Sequence, residues 1–130
     1  MIKVLIDENL SEYFAEGLHQ LQLPLNNGII VTSIAKEFHK GIKDEDWIPK
    51  WGEQSGVFIT QDLKIATTKH QAALLQKYNI GAFFLSPPKG SKYWNRVEII
   101  IRHWPEIVRL INNSKTPYTY FISARKVERR

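Results

Sequence analysis

Five short apolar runs, each parted from the next by a stretch of different pattern, constrain this chain more than any other feature. The runs are Ile2–Ile6, Ile29–Ile34, Val57–Thr60, Ile80–Leu85 and Tyr118–Ile122, and most are rich in β-branched or aromatic residues. They read as buried strands. Between them the apolar residues fall at helical spacing, as in Leu10, Phe14, Leu18 and Leu21, or in Ile65, Ala66, Ala73, Leu74 and Tyr78. Helices are expected from Asn9 as N-cap, over about 46–54, over 65–78 and over 92–112, the last kinked or divided at Pro105. Helix grammar also makes Asp46 an N-cap, with Pro49 at the third helical position. Strands alternating with helices imply an α/β chain with a parallel or mostly parallel sheet covered on both faces. At 130 residues, with no repeat and no linker, a single domain over 1–130 is expected. The basic tail 123–130 is expected to fray at its end.

Much chemistry is excluded. There is no cysteine, so no disulfide scaffold, thiol nucleophile or cysteine-ligated zinc. That suits a reducing cytosol. No apolar run reaches the roughly 18–20 residues of a membrane span, and Met1–Asp7 turns acidic too soon for a signal peptide. A cytoplasmic protein without a membrane partner is expected. His19, His39, His70 and His103 show no metal-binding spacing. The glycine-rich phosphate loops and the GxSxG elbow are missing as well.

What remains is acidic. Ligands of an open α/β sheet bind beyond the carboxyl ends of its strands. Asp7 follows the first run directly, and Asp62 follows the third after one residue. If those strands are neighbours, both carboxylates stand on one rim, and Asp44-Glu45-Asp46 can close it. Acids after strands also cap helices, but three acidic positions at matching ends favour a shared site. Crowded carboxylates repel unless a divalent cation bridges them, and carboxylate oxygens suit Mg²⁺ and Mn²⁺. Charge is also split along the chain. Residues 1–62 hold ten acids and five bases, whereas 63–130 hold three acids and thirteen bases. Such asymmetry suggests a polyanionic partner.

Three segments carry a resemblance. Val4-Leu5-Ile6-Asp7-Glu8-Asn9-Leu10, Asp44-Glu45-Asp46-Trp47-Ile48-Pro49 and Val57-Phe58-Ile59-Thr60-Gln61-Asp62 resemble the signatures of PIN-like domains, in the short VapC-type, toxin-like variant. Ile80-Gly81-Ala82-Phe83-Phe84-Leu85 matches in register. The resemblance implies a three-layer α/β/α sandwich with about five strands. It further implies a Mg²⁺- or Mn²⁺-dependent ribonuclease, often the toxin of a toxin–antitoxin pair with a cognate antitoxin. By position, Asp7, Asp44 and Asp62 would be the catalytic and metal-binding acids, with Asp46 a further candidate ligand. Asn9 and Thr60 would support them. RNA would be held by Lys64, Lys69, Lys89, Lys92 and Arg96. Tyr93 and Trp94 are either base-stacking residues or core, with core favoured for Trp94; Trp47 and Trp51 read as core. The chain departs from the pattern at Lys64 and Gln71, where related sequences often carry acids. Two other readings follow from that: an inactive RNA-binding module, or an interaction unit that forms a homodimer or binds an antitoxin through its C-terminal third.

Overall fold

The computed structural model describes residues 1–54 and 56–129. β1 (Ile2–Ile6), β2 (Ile29–Ser33), β3 (Val57–Thr60), β4 (Gly81–Leu85), β5 (Tyr118–Ile122) and β6 (Val127–Arg129) form one sheet in the order β2-β1-β3-β4-β5-β6. The first five strands are parallel, and β6 runs antiparallel beside β5. The helices are α1 (Glu12–Gln22), α2 (Ile34–Glu37), α3 (Asp44–Gln54), α4 (Lys64–Thr67), α5 (Lys69–Lys77) and α6 (Tyr93–Asn113). Among the described residues, no helix is long and apolar enough to cross a membrane.

β1, β3 and β4 are apolar at nearly every position because both faces of the sheet are covered there. On one face Val4, Ile6, Ile59 and Phe83 pack with Phe14 and Leu18 of α1 and with Ile100, Trp104 and Ile107 of α6. On the other, Leu5, Phe58, Ala82 and Phe84 pack with Trp47, Ile48 and Trp51 of α3 and Leu75 of α5. The result is the expected α/β/α layering, with Trp47 and Trp51 in the core as expected.

Several local expectations are corrected. α6 runs unbroken through Pro105. A proline removes one intrahelical bond and crowds the carbonyl four residues back, here that of Ile101. Both residues are exposed, so that carbonyl lies on the solvent side, while the buried stripe Val97, Ile100, Trp104, Ile107 and Ile111 holds the helix to the sheet. The helix expected over 65–78 is divided instead at Thr68, whose backbone is extended. The tail forms a strand over Val127–Arg129, and its last residue, Arg130, lies outside the described residues. Ser123 turns the chain: its Oγ accepts from the N–H groups of Arg125 and Lys126, and β6 then pairs back onto β5. Arg129 also lies over the Tyr120 ring, 5.7 Å from its centroid.

Asn9 is not the cap of α1. It lies exposed inside a 3₁₀ turn, Glu8–Leu10, and the cap is Ser11, whose Oγ accepts from the N–H groups of Tyr13 and Phe14, each at 3.1 Å. Ser11→Ala should therefore cost about 0.5–2 kcal/mol, as lost caps do. Asn9→Ala should stay within about 0.5 kcal/mol, as exposed substitutions do. Urea unfolding of the two variants separates the roles; the reverse ranking would return the cap to Asn9.

Candidate functional site

Five parallel strands send their carboxyl ends to one rim, and β1 and β3 are hydrogen-bonded neighbours. The Asp7 amide adds one more rung to that ladder, donating to the Ile59 carbonyl at 3.0 Å. The backbone beneath Asp7 is therefore fixed by the sheet. Its Oδ1 accepts from the Glu8 amide at 2.8 Å, capping the 3₁₀ turn, and its Oδ2 accepts from the Thr60 hydroxyl at 2.8 Å. Thr60, fully buried at the end of β3, in turn accepts the Asp62 amide on the same Oγ1 at 2.9 Å. One hydroxyl thus ties the acid after β1 to the turn that carries the acid after β3. Asp62 Oδ1 accepts the Lys64 amide at 3.0 Å and shapes the entry to α4.

Asp44 approaches from the other face. It is the first residue of α3, not a loop residue ahead of it. The Lys43 carbonyl accepts from the amides of Asp46 and Trp47, so the helix opens two residues earlier than expected. Asp46 is accordingly not the N-cap. It is exposed in the first turn, where a negative charge favours the helix N-terminus. Pro49 is the sixth helical residue; the carbonyl it leaves without a partner belongs to exposed Glu45, within reach of water.

Both oxygens of Asp44 are engaged. Oδ1 accepts from Trp47 Nε1 at 2.9 Å, and Oδ2 accepts from Gln71 Nε2 of α5 at 2.6 Å. Neither donor was expected in the site. The amide at position 71, a departure from the resembled pattern, holds one of the acids in place of being one. Nearby, Glu8 Oε1 accepts from the Gly41 amide at 2.7 Å and ties the loop before α3 to the turn after Asp7.

Electrostatics links the three aspartates. Burial raises the pKa of Asp7 above the usual carboxylate value; the bonds from Thr60 and Glu8 oppose this, and the Asp62 and Asp44 charges add to it. Burial likewise raises Asp44, opposed by the Trp47 bond and reinforced by Asp62 and Glu45, while Gln71 lowers it. Repulsion of this kind is what a bound cation relieves, and three carboxylates are the hard donors Mg²⁺ and Mn²⁺ accept. Among the described residues, however, no three His, Cys, Asp or Glu side chains form a ready-made metal-holding group. The donor chemistry fits a divalent ion, with Asp44 turned onto Trp47 and Gln71.

A sign follows for pH. A carboxylate whose pKa is raised on folding contributes stability below its unfolded value and loses it as pH climbs through the folded one. In metal-free protein, the Tm of Asp44→Asn relative to wild type should rise with pH through and above the ordinary carboxylate range. A constant offset from the altered bonds to Trp47 and Gln71 does not change that slope. Melting curves over a pH series test it, and a gap that moves the opposite way would contradict it.

The expected basic residues divide. Lys64 opens α4 beside Asp62, Lys89 sits exposed in the loop leaving β4, and Lys92 immediately precedes α6. Lys69 is exposed at the start of α5. Arg96 is different: it is half-buried, and its Nη2 donates to the Ser91 carbonyl at 3.0 Å, so its guanidinium braces the loop. Arg125 and Lys126, exposed in the turn after β5, join the same rim. Trp94 is not core but 78% exposed, because it leaves the buried stripe of α6 at the helix's first turn.

The profile of the family described as "PIN like domain" matches residues 2–87, from β1 through the end of β4 and all three aspartates. The chain belongs to the PIN-like domain family. The match ends before α6, so that helix and the last two strands complete the sheet outside the matched region. PIN-like domains are commonly nucleases and generally use divalent metal ions. Searches of curated proteins and of solved structures returned no match.

Proposed function

We propose that this PIN-like protein is a metal-dependent ribonuclease that hydrolyses phosphodiester bonds at the rim formed by Asp7, Asp44 and Asp62. The observation that carries the reading is the shared Thr60 hydroxyl, which couples Asp7 and the Asp62 turn at the ends of neighbouring strands. Asp7, Asp62 and Asp44 would hold Mg²⁺ or Mn²⁺, which when bound lowers the pKa of a water and neutralises charge on the phosphate. Thr60 is a positioning residue. Trp47 and Gln71 position Asp44, and releasing Oδ2 from Gln71 frees that oxygen for a ligand. Lys64, Lys89 and Lys92 draw the RNA backbone onto the rim.

The test is cleavage of a labelled RNA by the purified protein with Mn²⁺ or Mg²⁺, against a chelator control. Cleavage that requires the ion is expected; RNA left intact with either ion would overturn the reading. One observation favours a second reading, a binding module with a weak site: both Asp44 oxygens are already occupied by internal donors. That reading predicts RNA binding without cleavage. We extend the ribonuclease reading to a toxin of the VapC type restrained by a cognate antitoxin. Growth arrest on expression, abolished by Asp7→Asn, is its expected sign.

A further inference from the structure

Four tryptophans are present, and three of them, Trp47, Trp51 and Trp104, are buried. Trp94 stands out at 78% exposure, beside Tyr93 at 42%. The two rings meet edge to face, with centroids 5.6 Å apart and planes at 71°. An aromatic pair left in water gives up the burial that places other aromatics inside.

Its surroundings say what would use it. α6 begins on the same rim as the aspartates, since the chain reaches it from the carboxyl end of β4, the neighbour of β3. The helix also touches the Glu8–Leu10 turn that Asp7 caps. Exposed Lys89 and Lys92 come just ahead of the pair in the chain, and Lys89, Ser91 and Asn95 line an open cleft whose one acid, Glu98, is paired with Arg102. Two exposed rings directly after these lysines put a small apolar surface next to positive charge left unpaired among the described residues. That suits a polyanion with flat apolar faces better than an apolar protein surface. Unpaired bases stack on exposed aromatics while neighbouring cations track the phosphates; in a duplex those faces are already stacked.

We infer that Tyr93 and Trp94 form a base-stacking subsite for an unpaired nucleotide of RNA, with Lys89 and Lys92 on the adjoining phosphates. The inference rests on the ribonuclease reading for the presence of RNA on this rim.

The test uses the full chain in chelator, so that binding is measured without cleavage. Because the other tryptophans are buried, quenching of solvent-exposed emission reports on Trp94. Adding a short single-stranded oligoadenosine to wild type should quench that emission. Trp94→Ala should weaken binding of this strand about tenfold, as loss of one stacked base does. Trp94→Phe should bind nearly as wild type, and duplex RNA of equal length should bind wild type and Trp94→Ala alike. Unchanged melting of Trp94→Ala would show that the fold is intact. Single-strand affinity indifferent to Trp94→Ala would overturn the subsite. So would a wild-type dimer that Trp94→Ala dissociates without changing RNA affinity, since the rings would then pack between copies. Trp94-dependent binding without any ion-dependent cleavage would support the subsite and overturn the nuclease reading alone.

Discussion

Replacing Trp47 by alanine should cost about 3–5 kcal/mol, the usual toll for truncating a large buried aromatic. The side chain is fully buried, and its ring lies 4.5 Å from that of Phe58, centroid to centroid, at the centre of the layer between α3 and the sheet. A domain of this kind has about 5–15 kcal/mol in total, so the variant would stand near its unfolding threshold. Trp47→Phe separates packing from positioning. It keeps a ring against Phe58, loses the Nε1 donor to Asp44 Oδ1, and should cost about 1–2 kcal/mol. Denaturant unfolding measures both. A loss below about 1 kcal/mol for the alanine variant would mean that α3 does not depend on this contact, and with it the account of how Asp44 is held.

The second large effect is on activity. Asp7→Asn and Asp62→Asn should each lower ion-dependent RNA cleavage by at least about 100-fold, since each removes a charge that would otherwise help hold the ion at the phosphate. Neither should unfold the protein. Asp7 gives up one acceptor but also relieves repulsion from Asp62 and Asp44, and asparagine can still accept the Thr60 hydroxyl. Initial rates on one labelled RNA, with circular dichroism of each variant, decide it. Near wild-type rates in either variant would remove that aspartate from the site.

The rim position of Asp7 and Asp62 is legible in the chain because strand ends are: an apolar run stops, and an acid directly after it or one residue further on stands at the edge. That the two strands are neighbours follows from the parallel order β2-β1-β3. Thr60 is legible through the resemblance alone, yet its bonds show why the residue type is needed. One hydroxyl must donate to Asp7 and accept from the Asp62 amide at once, which valine in that place would not do.

The misses have different causes. Asn9 is a fair N-cap by sequence, but a 3₁₀ turn intervenes and hands the role to Ser11. Pro49 suggests an early helical position, but the Lys43 carbonyl closes an extra turn and buried Trp47, Ile48 and Trp51 carry the helix past the missing bond. Pro105 is tolerated because its cost falls on the wet side of α6. Charge alone does not show that the tail up to Arg129 turns back as a short hairpin, with β6 paired to β5 and the turn shaped by the Ser123 hydroxyl. Gln71 carries no signal by itself, since its bond to Asp44 spans 27 residues of sequence. Trp94 falls beside the helical stripe and not on it, which the spacing of Val97, Ile100 and Trp104 from Trp94 does not separate cleanly.

The central claim is that the rim binds a divalent cation through these carboxylates. Calorimetric titration of Mn²⁺ into wild type, Asp7→Asn and Asp62→Asn tests it without RNA. Saturable binding is expected for wild type and loss or severe weakening for each variant. Wild type that takes up no Mn²⁺, or variants that match its isotherm, would contradict the account.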